Sequence, residues 1–452
     1  MARFWFHWGL LLVAINIAQV VRTLDIDVND DDSVKDAASK TAKGSLNWYD
    51  GDKPGGNPGA FPTKWWEGSA LFLSLLLYWH YTGDSQYNDL ISQGMEHQAG
   101  EGDYMPSNYS SYLGNDDQMF WGVAAITAAE IKFADVDDGY SWLSLAQGVF
   151  NTQIDRWDTS NCGGGLRWQI FPYQAGYAMK NSISNGGLFQ LAARLARYTD
   201  NSTYSDWAEK IWDWSVSSPL VNNKTWNVAD STDIDNGCKT QGNNQWSYNY
   251  GAYMTGAAYM YNHTEDAKWK DALDGLLGVT MKTFFPKKFD NIMSETLCEP
   301  NEVCNDNEIL FKGLVIHWLA FISLIVPSTY DQIFPKIQAS AEAAAKSCSG
   351  SGNNTCGVRW HENKWDGWTG MEEQIIATNA IVSALVKNDK SGPVTSKTGG
   401  NSSSNPDAGD GDNDNDKTQL KPITSGDRAG AAILTILFAG VWLGMVGWLL
   451  LN

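Results

Sequence analysis

The apolar residues of this chain fall into helix-length runs, and the runs alternate in kind. Residues 65–81 (WWEGSALFLSLLLYWHY) are apolar on every side, whereas 85–98 carry one stripe, Tyr87, Ile91 and Met95, among polar neighbours. A helix that is apolar all round is covered all round, and a striped one lies at a surface. The alternation repeats along the chain: 118–133 with 140–157, 181–198 with 204–218, 246–261 with 269–284, and 309–326 with 332–346. A first helix at 33–49 and a last at 371–386 bring the expected number to twelve, arranged as six pairs of one buried and one amphipathic member. A closed double ring accounts for this, with inner helices covered on both sides and outer helices with one wet face. The expected fold is therefore all-α, an (α/α)6 barrel of six inner and six outer helices. An open solenoid of helix pairs would show the same alternation; against it stand the lack of a repeated motif and a pair spacing that varies from about 40 to about 65 residues. The run at 309–326 is long enough to span a bilayer, but Lys312, Gly313 and His317 within it favour an inner barrel helix.

The two ends differ from the middle. Arg3 followed by an apolar run to Val21 reads as a secretory signal peptide, residues 1–23, with cleavage between Ala18 and Leu24; an uncleaved membrane anchor is the alternative. Residues 429–451 form a second apolar run without charge. With nothing basic after it, the run reads as the hydrophobic tail (429–452) of a GPI-attachment signal rather than a spanning helix, a C-terminal tail anchor being the other reading. Upstream, 391–428 is expected to be a disordered stalk and GPI-attachment region, since 391–416 is Ser, Gly, Asn and Asp with almost no apolar residues. One domain, 24–390, remains. Such a protein would sit on the outer face of the plasma membrane, its partner there the outer leaflet reached through a GPI lipid.

Six cysteines lie between these ends. An even count in an exported chain suggests three disulfides; Cys298 with Cys304 and Cys348 with Cys356 would close short loops and leave Cys162 with Cys238, among fifteen possible connectivities. Sequons at Asn108, Asn201, Asn223, Asn262, Asn353 and Asn401 agree with passage through the secretory pathway. A net charge of -20 gives nucleic acid no electrostatic hold. The histidines show no metal-ligand spacing and there is no Gly-x-Ser-x-Gly elbow, so neither a zinc centre nor a serine hydrolase is indicated, and no cofactor is implied. Twenty-two tryptophans suit a sugar site, where flat rings cover the C–H face of a pyranose.

In a helical barrel the N-termini of the inner helices converge on one end. Four polar or aromatic clusters sit there: Trp65-Trp66-Glu67, Asn115-Asp116-Asp117, Lys180-Asn181-Ser182 and Tyr248-Asn249-Tyr250. Asp116 and Asp117 are the candidate catalytic pair. Adjacent residues at a helix start project roughly 100° apart, which lets two carboxyls lie about 5 Å from each other, the separation of retaining glycosidases. The helix N-terminus favours one anion, and that anion's charge raises its neighbour. The plainer reading is that these residues only cap and charge a helix start. Trp65, Trp66, Trp168, Trp360, Trp365 and Trp368 are candidate sugar platforms. Lys180 and Lys312 are expected either to meet a sugar hydroxyl or to form internal ion pairs.

The order Asn47-Trp48-Tyr49-Asp50-Gly51, Lys64-Trp65-Trp66-Glu67-Gly68, Asn115-Asp116-Asp117-Gln118, Lys180-Asn181-Ser182-Ile183-Ser184-Asn185-Gly186-Gly187 and Tyr248-Asn249-Tyr250-Gly251, between a signal peptide and a GPI tail, resembles the fungal members of glycoside hydrolase family 76. These are endo-α-1,6-mannosidase-like proteins of cell-wall growth. The resemblance covers the whole mature domain. It implies a retaining mechanism with Asp116 as nucleophile and Asp117 as general acid/base, and it adds Asp50, Asn115, Asn185 and Asn249 to the substrate-binding candidates. It also implies an α-mannoside substrate, from mannan or the GPI glycan, and transfer of GPI proteins to a wall glucan acceptor. A noncatalytic mannan-binding wall protein is the competing reading. Binding alone would tolerate Asn at either position of the pair.

Overall fold

The computed structural model describes residues 24–61, 64–239 and 242–409, with 435, 438–440, 442 and 445 of the tail. The expected signal peptide, residues 410–428 and most of the tail lie outside the described residues. The few described tail residues are helical and exposed, and belong to a unit separate from 1–409.

Among the described residues, twelve α-helices build the first unit: α1 (Asp31–Ser45), α2 (Trp65–Thr82), α3 (Asn88–His97), α4 (Asn115–Glu130), α5 (Trp142–Asp155), α6 (Ser182–Thr199), α7 (Ser202–Ser217), α8 (Ser247–Thr264), α9 (Ala267–Thr283), α10 (Asp306–Ile325), α11 (Tyr330–Ser347) and α12 (Met371–Ser383). The even-numbered helices form the inner ring, each packed on the next, and α12 packs back on α2. That last contact closes the barrel and removes the solenoid reading. The odd-numbered helices form the outer ring, α3 to α11 each backing the inner helix before it and α1 backing α12. Burial follows the sequence pattern. Every residue of α10 from Ile309 to Ser323 is buried, so the stretch apolar enough to cross a membrane is the barrel's own interior.

Local chemistry sets the helix starts. Asp30, Ser141, Asn181, Asn201 and Asp266 each cap a helix with a side-chain oxygen, and Asn305 with Glu308 makes a full capping box at α10. Small residues let the inner helices approach closely. A Cβ on Gly313 of α10 would sit 2.9 Å from the Cα of Ile376 on α12, so nothing larger fits there. At the C-terminal ends of the inner helices a buried ion pair joins α4 to α6: Arg194 Nη2 lies 2.6 Å from Glu130 Oε2, which also accepts from Tyr259 Oη of α8 at 3.0 Å. The disulfides are Cys162–Cys238, Cys298–Cys304 and Cys348–Cys356, as the loop lengths suggested.

The domain does not stop at 390. Residues 391–409, expected as the start of a disordered stalk, form an ordered strap. Val394 N–H donates to Glu130 O at 2.9 Å and Ser396 N–H to Tyr198 O at 3.0 Å, both at the C-terminal ends of inner helices. Ser402 and Ser403 then bond Asp135, Asn405 N–H donates to the buried Gln147 at 2.7 Å, and Asn151 donates to the carbonyls of Pro406 and Ala408. The strap thus climbs α5. A polar composition cannot form a core, but here hydrogen bonds to fixed partners on the barrel replace that core.

Candidate active site

The N-termini of the inner helices surround a cleft of about 330 Å³. Its chemistry is concentrated on α4. The helix begins at Asn115, three residues earlier than the apolar pattern suggests, so Asp116 and Asp117 lie in its first turn. Gly114, at the cap position, has no side chain to offer. Asp117 instead reaches back, its Oδ2 accepting Gly114 N–H at 2.6 Å, while Asp116 Oδ1 accepts Asp117 N–H at 3.1 Å. Asn181, which caps α6, points its amide at Asp116 Oδ2 at 3.5 Å, the limit of a hydrogen bond.

Removal of water raises both carboxyls, Asp117 to about 6 and Asp116 well above the ordinary carboxylate range. Asp116 moves further because the charge of Asp117 adds to its burial, whereas the Gly114 N–H holds Asp117 down. The pair therefore holds a proton to higher pH than ordinary carboxylates would.

Two aromatic walls flank the pair. On one side Trp66 lies 4.8 Å from Phe120, centroid to centroid, with its Nε1 donating to Asn307 Oδ1 at 2.9 Å. On the other, Tyr248 stacks face to face on Phe311 at 3.6 Å and Trp246 meets the same ring edge-on at 5.8 Å. Trp168 and Gln169 line the cleft from a loop tied to α4, where Asn115 N–H donates to Trp168 O at 2.9 Å. Asp230 and Glu308 bring two more carboxyls, and no lysine or arginine is among the lining residues.

Of the sequence candidates, Asp116, Asp117, Trp66, Trp168, Asn181 and Tyr248 meet in this cleft. The others do not. Asn115 is buried beneath the pair, its amide on Arg167 O at 2.9 Å and its Oδ1 taking Arg156 Nε at 2.8 Å. Asn185 holds both polar groups of Leu166, and the buried Asn249 stands one step back, donating to Asp230 Oδ1 at 3.2 Å. Lys180 is fully buried on the carbonyls of Asp158, Asn161 and Gly164 and the Asp158 carboxylate at 3.3 Å, and burial pushes its ammonium down to about 8. Lys312 is equally buried, 2.9 Å from Glu299 and 3.9 Å over the Trp360 ring. Both lysines thus form internal ion pairs, because a buried ammonium needs a carboxylate before it can serve a sugar. Trp65 packs in the core with Nε1 on Gln98 at 2.7 Å. Asp50 is an exposed surface partner of Lys53. Trp365 donates to Trp368 O at 2.6 Å, so the two brace their own loop outside the cleft.

Sequence reasoning missed Asp230, Trp246, Phe120, Phe311 and the rim of Asn305, Asn307 and Glu308. The motif Asn305-x-x-Glu308 is a legible capping box, and it would have moved the start of α10 back to the cleft. Among the sequons, Asn108, Asn223, Asn262, Asn353 and Asn401 are exposed, Asn262 while donating to Ile325 O at 2.9 Å, and Asn201 caps α7. Among the described residues the cluster with metal-ligand spacing is Cys298, Cys304 and Glu308, whose sulfurs are joined to each other and cannot ligate.

A double helical ring whose funnel end holds adjacent acids between aromatic walls has the architecture of a glycosidase. The sequence matches glycosyl hydrolase family 76 over residues 33–397, and the chain belongs to that family of glycoside hydrolases. It is 42% identical over 440 residues to mannan endo-1,6-α-mannosidase DFG5 of Candida albicans, covering 95% of this chain and 96% of the relative. A putative mannan endo-1,6-α-mannosidase of Schizosaccharomyces pombe is 43% identical over 411 residues, 88% of this chain and 92% of that one. In three dimensions the chain is similar to Dfg5 of Chaetomium thermophilum, crystallised with glucosamine (TM-score 0.81, 40% identity, 85% and 97% coverage). The fold extends to the GH76A α-1,6-mannanase of Salegentibacter sp. HEL1_6 (TM-score 0.62, 18% identity, 78% and 98% coverage).

Proposed function

We propose that this protein is a retaining, endo-acting enzyme of α-1,6-mannosides, with Asp116 as nucleophile and Asp117 as general acid/base. The observation that carries the reading is the pair itself: two adjacent carboxyls in the first turn of α4, raised by burial and open to a cleft walled by aromatic rings. In the first step Asp117 gives its proton to the glycosidic oxygen as the C1–O bond breaks, and an Asp116 oxygen bonds to C1. In the second, Asp117 takes a proton from an incoming hydroxyl, whose oxygen displaces Asp116 from C1. Positive charge developing at C1 lies against Asp116, favours the anion there and leaves the proton with Asp117.

The incoming hydroxyl belongs to water in hydrolysis and to a second sugar in transglycosylation. We favour transfer in the fungal cell wall, from the α-mannose of mannan or of a GPI glycan to wall glucan, by a protein held on the outer membrane face by its own GPI anchor. The curated relatives are named mannan endo-1,6-α-mannosidases, and the glucosamine-bound relative fits a cleft rich in carboxylates. Mass spectrometry of the secreted domain after trapping with a fluorinated mannosyl donor tests the chemistry. A mannosyl adduct on Asp116 that is lost in Asp116→Asn is expected. An adduct on Asp117 reverses the roles, and oligosaccharide binding without adduct or turnover leaves a mannan-binding protein.

A further inference from the structure

Helix α8 carries the Trp246 and Tyr248 wall of the cleft, yet its own start is poorly provided for. The cap position is Trp246, which has no oxygen to offer, and no side chain near in sequence caps the helix. The missing acceptor comes from a distant loop. Ser247 N–H donates to Glu295, 3.2 Å from Oε1 and 3.3 Å from Oε2, across 48 residues of sequence. Glu295 is fully buried. It is fixed in turn by Glu299, whose Oε1 accepts Glu295 N–H at 2.8 Å and lies 2.9 Å from Lys312 Nζ. Lys312 follows Phe311, the ring on which Tyr248 stacks.

We propose that Glu295 is a positioning residue for sugar binding, a cap supplied from elsewhere in the chain so that position 246 is free to hold a cleft-lining tryptophan. A serine or aspartate at 246 would satisfy the helix start locally, but it would give up the ring. The start of α8 is thereby fixed on both sides, by Glu295 on its N–H and by Phe311 on the Tyr248 face. Through Glu299 and Lys312 both restraints refer to the same buried ion pair. A wall held at two points keeps its rings in the orientation that a pyranose face needs, and freezing them in advance lowers the ordering cost of binding. The inference rests on the cleft being a sugar site.

The test compares Glu295→Ala and Glu295→Gln in the intact protein, with kcat and KM measured on an α-1,6-manno-oligosaccharide. Glu295→Ala is expected to raise KM about tenfold or more, with kcat within about threefold, and Glu295→Gln, which keeps an oxygen for Ser247 N–H, to recover most of the KM. Should Glu295→Ala fail to fold, Ser247→Pro removes the donor at a first helical position that proline suits, and the same rise in KM is expected. An unchanged KM in a folded variant, or a kcat loss as large as the KM change, overturns the proposal. Absence of turnover in the wild-type protein, with oligosaccharide binding retained, would fail the catalytic reading instead; the dissociation constant then takes the place of KM.

Discussion

Asp117→Asn should make the protein more stable while abolishing its activity, and the gain should depend on pH in a stated direction. Burial raises the Asp117 carboxyl to about 6 from an ordinary 3.8, so the folded chain holds this proton more tightly than the unfolded one. Below the unfolded value both states are protonated and the group adds no penalty; as pH rises through 3.8 and on to about 6, that relative stability is lost. Over that interval the full loss is about 3 kcal/mol, and the side of the carboxyl that faces the open cleft reduces it to about 1–3 kcal/mol. Asparagine carries no charge to desolvate, and its oxygen can still accept Gly114 N–H, so the helix start survives the change. At roughly 2.1 cal/mol/K of unfolding entropy per residue, a domain of this size gains about 1–4 °C in Tm. Thermal unfolding of wild type and variant at pH 4, 6 and 7.5 reads it directly. The expected difference is near zero at pH 4 and full at pH 7.5. Equal Tm values at pH 7.5, or the same gain at every pH, would refute the argument that this carboxyl is held at a cost to the fold.

Trp66→Ala and Tyr248→Ala should each raise KM for an α-1,6-manno-oligosaccharide by about 10- to 100-fold, while Trp365→Ala leaves it unchanged; steady-state kinetics separates cleft walls from loop brace. Arg194→Met leaves Glu130 buried without its partner and should cost about 3–5 kcal/mol, seen as a lowered Tm. Its kcat should hold, because Glu130 is about 21 Å along α4 from Asp116. Ending the chain at Lys390 rather than Gly409 removes the strap and exposes Gln147 and Asp135, so denaturant unfolding should shift to lower concentration with KM unaffected.

The barrel was legible because inner and outer helices face different solvents. Residues 65–81 and 309–326 had to be covered on every side, and a ring of such helices is the shape that covers them. That Asp116 and Asp117 meet in one cleft was legible because the two are adjacent in sequence. Asp230 was not, since a loop brings it to the cleft, where Asn249 and the Ser182 N–H hold it. Lys180 and Lys312 misled in the opposite way: a lysine beside an inner helix looks available until its depth is known, and only the fold shows that Asp158 and Glu299 already hold them. The strap defied composition for the same reason. Its serines bond to Asp135 and Tyr198, partners that exist as a surface only once α4, α5 and α6 are in place.

The path of that strap relocates the chain's point of departure. It passes the ends of α4 and α6 opposite the cleft and then runs up α5, so that Gly409 comes to rest beside Asp103 and Gly148. The carbonyl of Asp103 holds Gln118, the residue after Asp117, at 2.7 Å. The strap thus carries the chain from the barrel's floor back toward the end that holds Asp116 and Asp117. Residues 391–409 are wound onto the barrel and give the chain no slack along that stretch.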